Sequence, residues 1–461
     1  MICKNARVDG MILVFLGSAV VVLLMGFLLS PRSSGAIEDF IAEYYSAHAL
    51  MHHLDPYNQD QVLRVYRAEG GERSLALERD REIATRFVYP PSALADIVPF
   101  ALLKWRAASV LWMLVSSISL IAAACLAWDL TARNAPILGG LFAGFILANS
   151  EVLVVLSNPS ELSISLCVIA VWCFSRNRLI PIGILVLSLS LLLKPQIGGL
   201  IWVYFLLAGG GLSRKRALQT LGVTTALALP FILWVSAVAP HWMQELRGNL
   251  VAFAARGGLN DPGPSSPFAN QFVDLQVVFS RFRDDPGFYN LASYAVSAPF
   301  LIAWAVIAAK ARAVPETTQI ALAAIAPLSL LPFHHHLYDS KLLLLMIPAL
   351  GLLWSKRGPI GWTGLVLTSA AFLLTGDLTE SLFLRAVDMM RPTPGGREEW
   401  LVDALRVFPF PCILLLAGCF YLYVYALFAF APERLKGKEQ TQMQKGRAAS
   451  SFLRPSGWFT K

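Results

Sequence analysis

The stretch IEDFIAEYYSAHALMHHLDPY, residues 37–57, gathers carboxylates, tyrosines and histidines directly after the first long apolar segment of the chain. Asp39 and Glu43 are four residues apart, so a helix would place both on one face. A carboxylate held close to a membrane surface is partly removed from water, which raises its pKa and makes it a better proton acceptor. Asp39 is therefore a candidate general base; the alternative is a helix-terminal charge that only complements the macrodipole.

A second candidate group lies in LLKPQIGG, residues 192–199. Lys194 ends an apolar segment beside Gln196, and an ammonium group there could bind a phosphate. The alternative is a lysine that extends toward the lipid headgroups. Arg86, which precedes a Tyr-Pro-Pro turn, could add further positive charge.

The segment PFHHHLYDSKLL, residues 332–343, contributes His335, His336, Asp339 and Lys341. Adjacent histidines suggest a metal site, but neighbouring side chains on a helix point roughly 100° apart. The spacing also matches no known type of zinc site. We therefore predict no metal here, and expect a cluster that binds an anionic or hydroxylated ligand.

A short hairpin, LSNPSELS at residues 156–163, offers hydrogen bonds to hydroxyl groups from Asn158, Ser160 and Glu161. The alternative is a turn followed by a helix N-cap, which Asn-Pro-Ser-Glu also fits. The remaining candidates for substrate contacts are Glu43, Tyr45, Asp55, Tyr57 and Tyr89.

The composition indicates where these residues act. Hydrophobic residues make up 56% of the 461 residues and charged residues 15%, with a mean hydropathy of +0.58, which is more apolar surface than a soluble protein can bury. The net charge of +8 does not predict nucleic-acid binding, because the basic residues form short clusters between apolar segments, as the positive-inside rule describes. The six cysteines show no zinc or disulfide spacing and are expected to be small apolar side chains.

Placing the basic clusters in the cytoplasm predicts an all-α, polytopic membrane protein with about twelve spans and both termini inside. The predicted spans are residues 11–29, 107–127, 136–155, 160–175, 179–193, 197–212, 217–238, 291–310, 316–332, 340–354, 358–375 and 407–431. The apolar part of residues 89–104 is too short to cross, so we expect an interfacial or re-entrant helix that begins at Pro91. We predict one transmembrane domain, residues 1–431, with residues 30–104 as an outer loop of interfacial helices and residues 432–461 as a disordered basic cytoplasmic tail.

Four stretches carry a family resemblance: EDFIAEYYSAHALMHHLDPY, FVYPPSALADIVPFALL, LLLKPQIGGLIW and HHHLYDSKLLLLMIP. Their order and spacing, over about residues 11–354, resemble glycosyltransferase family 87. These are mannosyltransferases of the C-type superfold that use polyprenyl-phosphate mannose as donor.

The resemblance implies an interfacial active site on the periplasmic face of a bacterial inner membrane, with no cofactor. Asp39 corresponds to the loop acid that deprotonates the acceptor hydroxyl, so that attack on the anomeric carbon displaces the lipid phosphate with inversion. Lys194, with His336 or Lys341, would hold that phosphate. The acceptor would be a glycan or glycolipid. The hairpin departs from the family's Gly-Gln-x-Asn-like motif, so galactose, glucose and arabinose stay open beside mannose.

Two other functions compete with a glycosyltransferase. A transporter or flippase for a lipid-linked or sugar substrate should carry charged or broken helices near the bilayer midplane, often in inverted repeats. The middle of the predicted spans is almost free of charge, and the sequence shows no repeat. A scaffold protein without chemistry is the third possibility.

Overall fold

The computed structural model describes residues 6–29, 39–69, 78–208, 210–266, 268–390 and 397–430. Within these ranges the chain is helical and contains no β-strand, apart from an isolated antiparallel bridge between Phe272 and His336. Its α-helices are α1 Ala6–Leu29, α2 Phe40–Met51, α3 Gln59–Ala68, α4 Glu78–Thr85, α5 Leu94–Ala101, α6 Trp105–Thr131, α7 Pro136–Ala148, α8 Glu151–Leu156, α9 Pro159–Arg176, α10 Ile180–Leu193, α11 Pro195–Leu207, α12 Gly211–Val238, α13 Trp242–Phe253, α14 Gln276–Ser280, α15 Pro286–Lys310, α16 Pro315–Ser329, α17 Ile347–Ser355, α18 Pro359–Thr375, α19 Asp377–Asp388, α20 Arg397–Val407 and α21 Pro409–Phe430. Segments Pro91–Ala93, Ala269–Gln271 and Leu337–Met346 are 3₁₀ helices.

Among the described residues, six helical segments are long and apolar enough to cross a membrane, which makes this a membrane protein. They are Val8–Met25, Trp105–Thr131, Gly211–Val238, Pro286–Lys310, Leu337–Ser355 and Pro409–Phe430. A seventh results if α18 and α19, bent by 78° where they meet, count as one span. The prediction of about twelve spans is therefore not confirmed.

The difference between twelve and six spans lies in helix length. Every predicted span contains a helix, but α7, α10 and α11 have only 13 or 14 residues. At about 1.5 Å of rise per residue, such helices extend roughly 20 Å, less than the roughly 30 Å of a hydrocarbon core.

The outer-loop region forms helices close to those predicted. The helix expected between residues 37 and 53 is α2, and residues 37 and 38 lie outside the described chain. The predicted start at Pro91 is confirmed, because the 3₁₀ turn Pro91–Ala93 continues directly into α5. The predicted tail, residues 432–461, also lies outside the described residues.

Two apolar clusters hold the helices together. In the larger cluster, α9 packs against α6, α10, α11 and the 3₁₀ helix Leu337–Met346. The smaller cluster joins α2, α3 and α5 to the start of α6 through large aromatic side chains. The outer-loop helices are thus packed on the bundle, and they bring α2 against the N-terminal end of α9.

The two ends of the bundle differ in charge. Arg216, near the start of α12, donates to the carbonyl of Phe174 and contacts Asn177 at the end of α9. Arg176 pairs with Asp129 of α6 at 2.7 Å. Two of the basic clusters, represented by Arg176 and Arg216, therefore lie at the C-terminal end of α9, and the candidate chemical residues described below lie at its N-terminal end.

Small residues allow α1 and α7 to approach closely. A Cβ atom on Gly140 would lie 2.5 Å from Cγ2 of Ile12. We expect Gly140→Leu to lower the free energy of unfolding by about 1–3 kcal/mol, because the added side chain forces the helices apart. Thermal denaturation of purified protein in detergent would measure the loss. The control is Gly222→Leu in α12, where nothing lies within 4 Å of the added Cβ; equal losses for the two variants would contradict the packing argument.

Candidate active site

Asp39 lies at the start of α2, and its carboxylate does not cap the backbone N–H groups of that helix. It occupies the N-cap position, yet its side chain makes no capping hydrogen bond. Its backbone N–H donates to the carbonyl of Leu156 at 2.8 Å. The next residue, Phe40, stacks on Trp112 with ring centroids 4.3 Å apart. Backbone and aromatic contacts therefore fix the acid and leave its carboxylate for other partners.

Asn158 is the side chain that meets this carboxylate. Its Nδ2 donates to Oδ2 of Asp39 at 2.7 Å and to the hydroxyl of Tyr338 at 3.1 Å. Its Oδ1 accepts from the backbone N–H of Ser160 at 2.9 Å. Because a backbone N–H only donates, these contacts determine which way the amide points. Ser157 before it has a φ of 53°, uncommon for a residue with a Cβ, so a constrained turn presents the amide.

Lys194 and Asp339 form a buried ion pair beside Asn158. Nζ of Lys194 lies 3.0 Å from Oδ1 and 3.3 Å from Oδ2 of Asp339, and it also donates to the hydroxyl of Ser160. The two side chains are 9% and 1% exposed. Lys194 therefore does not extend toward headgroups; its charge is compensated inside the protein.

The consecutive histidines are held by separate contacts. Nδ1 of His335 lies 2.9 Å from Oδ2 of Asp339, and its backbone N–H donates to Asp274 at 3.2 Å. The His336 ring stacks on Tyr338 with centroids 4.9 Å apart. In the described part of the chain, no group of three His, Cys, Asp or Glu side chains could hold a metal ion.

The Tyr-Pro-Pro turn is anchored next to Lys194. The Tyr57 hydroxyl donates to the carbonyl of Tyr89 at 2.8 Å. The Ser92 hydroxyl donates to the carbonyl of Leu192 at 3.2 Å. Tyr57 thus holds the backbone of Tyr89, and the turn is hydrogen-bonded to the segment that carries Lys194.

Glu43 and Tyr89 lie in the same electrostatic neighbourhood as Asp39. Glu43 is 4% exposed, whereas Asp39 and Tyr89 are half-buried. Burial raises the pKa of the Tyr89 phenol well above 10, and the negative charge of Asp39 acts in the same direction. The phenol therefore stays neutral and can donate a hydrogen bond.

Burial also shifts the pKa values of the acid and of one histidine. It raises the pKa of Asp39 to about 6, although the hydrogen bond from Asn158 and the charge of Lys194 oppose the shift. It lowers the pKa of His336 to about 4, so this imidazole is neutral at physiological pH. An aspartate with a pKa of about 6 is ionised at pH 7 and is a stronger base than a surface aspartate.

Two of the predicted cations lie in other ion pairs. Nζ of Lys341 is 2.7 Å from Oδ1 of Asp377 and donates to the carbonyl of Thr375 at 3.1 Å. Arg86 pairs with Glu82 at 3.0 Å. Neither contact belongs to the network that joins Asp39, Asn158, Lys194 and Asp339.

Three other predicted residues also stand apart from this network. The Tyr45 ring packs against Tyr66 and Trp105, at centroid distances of 4.9 and 5.9 Å. Asp55 accepts from the backbone N–H of Tyr57 in a turn. Among the described residues, Gln196 makes none of the hydrogen bonds of the network.

Sequence reasoning named Ser160, with Asn158, as a hydrogen-bonding residue of the hairpin, but it did not select Asp274 or Tyr338. Ser160 binds Lys194, Tyr338 binds Asn158, and Asp274 holds the backbone of His335. The position of Tyr338 next to the selected Asp339 was a usable signal. Asp274 has no such signal, because the contact joins residues about sixty positions apart.

The arrangement suits proton abstraction from a hydroxyl group. Asp39 supplies a carboxylate with a raised pKa, Tyr89 supplies a neutral phenol, and Lys194 supplies a buried positive charge within electrostatic reach of Asp39. Partial removal of these groups from water strengthens each of these interactions.

Comparison with known proteins gives one match. The model of glycosyltransferase family 87 matches residues 87–333, more than half of the chain. Asp39 and the histidine segment from His334 onward lie outside the matched range. No curated protein and no solved structure matches the chain.

The ion pair predicts a large effect of Lys194→Met on stability. Removal of Lys194 leaves Asp339 buried without its partner, and we expect the free energy of unfolding to fall by about 3–5 kcal/mol. The double variant Lys194→Met/Asp339→Leu should recover part of the loss, because no unpaired charge remains. Denaturation in detergent would measure both variants.

The control is Arg406→Met. Arg406 pairs with Asp388 at 2.8 Å, but the side chains are 43% and 58% exposed, so the expected loss is below about 1 kcal/mol. If Lys194→Met and Arg406→Met lowered the free energy of unfolding equally, the buried Lys194–Asp339 pair would not be more important for stability than an exposed pair.

Proposed function

This chain belongs to glycosyltransferase family 87, and we propose that it moves a hexose, mannose by family expectation, from a polyprenyl-phosphate donor to the hydroxyl of a glycan or glycolipid. The family is one of sugar-transferring enzymes, which favours an enzyme over the transporter and scaffold hypotheses. Asp39 acts as the general base.

One observation carries this proposal: the carboxylate of Asp39 accepts a hydrogen bond of 2.7 Å from Asn158 and has a pKa raised to about 6. The amide orients the carboxylate, and the raised pKa increases its basicity without protonating it at pH 7. Both properties are what a base for a weakly acidic hydroxyl requires.

The reaction is a single displacement. The acceptor oxygen forms a bond to the anomeric carbon while its proton passes to Asp39. The bond between the anomeric carbon and the phosphate oxygen breaks, and its electron pair leaves with the polyprenyl phosphate. Attack from the face opposite the phosphate inverts the anomeric configuration, and Asp39 then releases its proton to water.

The donor phosphate would lie near Lys194. Two of the three ammonium donors can serve Asp339, and the third is used by Ser160, so the phosphate would replace the Ser160 hydroxyl. The neutral His336 ring, whose Nδ1 has no partner among the described residues, could supply another contact. A fixed positive charge at the departing phosphate lowers the barrier to its departure.

The proposal includes the predicted membrane arrangement: a C-type, twelve-span fold in a bacterial inner membrane with the site at the periplasmic face. It is supported by the separation between the basic end of α9 and the end that carries Asn158. Under the positive-inside rule the basic end is cytoplasmic, so the site faces outward.

The test is to incubate the purified protein with radiolabelled polyprenyl-phosphate sugars and glycolipid acceptors. We expect one label to be transferred, and Asp39→Asn to abolish transfer while the protein still purifies as a folded species. The control Asp60→Asn changes an exposed acid on α3 and should retain activity. Full activity of Asp39→Asn would exclude the assigned base.

The pKa of Asp39 predicts the pH dependence of the reaction. Only the carboxylate accepts a proton, so kcat/KM should be constant above the pKa and fall about tenfold per pH unit below it. The midpoint is expected at pH about 6. A rate profile between pH 4.5 and 8 would locate it, and a midpoint near pH 4 would show that burial does not control this acid.

A further inference from the structure

Glu43 is a buried acid that the reaction described above does not use. It is 4% exposed, and its Oε2 has no hydrogen-bond partner among the described residues. Glutamate is rarely buried without a partner, and an unsatisfied buried polar atom is costly. A ligand bound beside Asp39 would supply the hydrogen-bond partner that Oε2 of Glu43 lacks.

The position of Glu43 relates it to Asp39. The two residues are separated by one turn at the start of α2, so their side chains share a face, with Cβ atoms about 5–6 Å apart. The charges of Asp39 and Lys194 both act on Glu43. The phenols of Tyr89 and Tyr338 are in turn influenced by both acids. These groups therefore lie within electrostatic reach of one another.

The protonation state of Glu43 follows from this environment. A second carboxylate beside Asp39 would be repelled by it and would lose its hydration. Burial raises the pKa of Glu43 well above its ordinary value, and the charge of Asp39 adds to the shift. Both effects favour the neutral carboxylic acid, whose O–H donor and free acceptor sites match the hydrogen bonding of a sugar hydroxyl.

We propose that Glu43, through its unpartnered carboxyl oxygen, binds a hydroxyl of the acceptor adjacent to the hydroxyl that Asp39 deprotonates. The inference rests on the proposed function. The acceptor is assigned rather than the donor because Glu43 and Asp39 share one face of α2, whereas the groups near the phosphate come from α9, the α10–α11 junction and the 3₁₀ helix Leu337–Met346.

A consequence concerns the class of acceptor. Two acids on one helical turn can contact two neighbouring hydroxyls of a single ring, and a simple alcohol offers only one. The acceptor is therefore a polyol ring, and loss of the second contact leaves Glu43 buried without a partner, which discriminates strongly against an alcohol.

The first experiment compares Glu43 variants. Glu43→Leu, which fills a similar volume, should raise the KM for acceptor about tenfold or more and leave the KM for donor unchanged. Glu43→Gln retains an N–H donor and an acceptor oxygen, so it should recover most of the acceptor affinity. Asp60→Leu on the exposed side of α3 is the matched control.

The outcomes separate a substrate contact from a structural role. A structural role would lower the melting temperature of Glu43→Leu or reduce kcat for all substrates, without a selective change in the KM for acceptor. An increase confined to the KM for donor would overturn the assignment to the acceptor. A Glu43→Gln variant as poor as Glu43→Leu would contradict the neutral form.

The second experiment uses the wild-type protein with octyl mannoside, octyl glucoside, octyl galactoside and 1-octanol as acceptors. We expect transfer to at least one glycoside and none to octanol. Equal transfer to octanol would overturn the inference while leaving the glycosyltransferase intact. Failure to transfer to any acceptor, including the glycolipids, would instead overturn the proposed function, and this inference with it.

Discussion

Lys194 and Asp339, buried together with 3.0 Å between ammonium and carboxylate, compensate each other's charge and tie three parts of the chain into one site. Lys194 stands between α10 and α11, its second partner Ser160 is in the first turn of α9, and Asp339 belongs to the 3₁₀ helix Leu337–Met346. Because neither charge is tolerated alone in a dry interior, the position of each segment depends on the others. Asp339 also contacts Nδ1 of His335, so the position of the histidine segment depends on the same ion pair.

The N-terminal turn of α9 connects this ion pair to Asp39. Ser160 contacts Lys194 through its side chain and Asn158 through its backbone N–H. Asn158 then presents its amide to Asp39. The Asp39 carboxylate is therefore oriented by a series of hydrogen bonds that begins at a buried charge, although Asp39 itself lies on a different helix. This is how a carboxylate on a peripheral loop acquires a fixed direction.

Two acids on one turn of α2 are given different properties by their surroundings. Asp39 is half-buried and receives a hydrogen bond, so its anionic form is partly stabilised. Glu43 is almost fully buried, with one carboxyl oxygen unpartnered, so its neutral form is favoured. Pairs of carboxyl groups with separated pKa values can divide the roles of base and hydrogen-bond donor between them. The difference arises from packing, because the two acids have similar pKa values in water.

The sequence by itself determined the all-helical membrane class and the helix that follows Pro91, because hydropathy and proline geometry are properties of neighbouring residues. Tertiary structure alone decided that Lys194 is paired with Asp339, that Lys341 is paired elsewhere, and that Tyr45 packs among aromatic rings. Those contacts join residues far apart in the chain. Which residue pairs with a buried lysine, and how far the pKa of a buried acid shifts, depends on the folded environment. The lengths of the helices were also not evident from the sequence: among the described residues six helical segments, or seven with the bent pair, are long and apolar enough to span a membrane, since apolar composition does not reveal where a helix breaks.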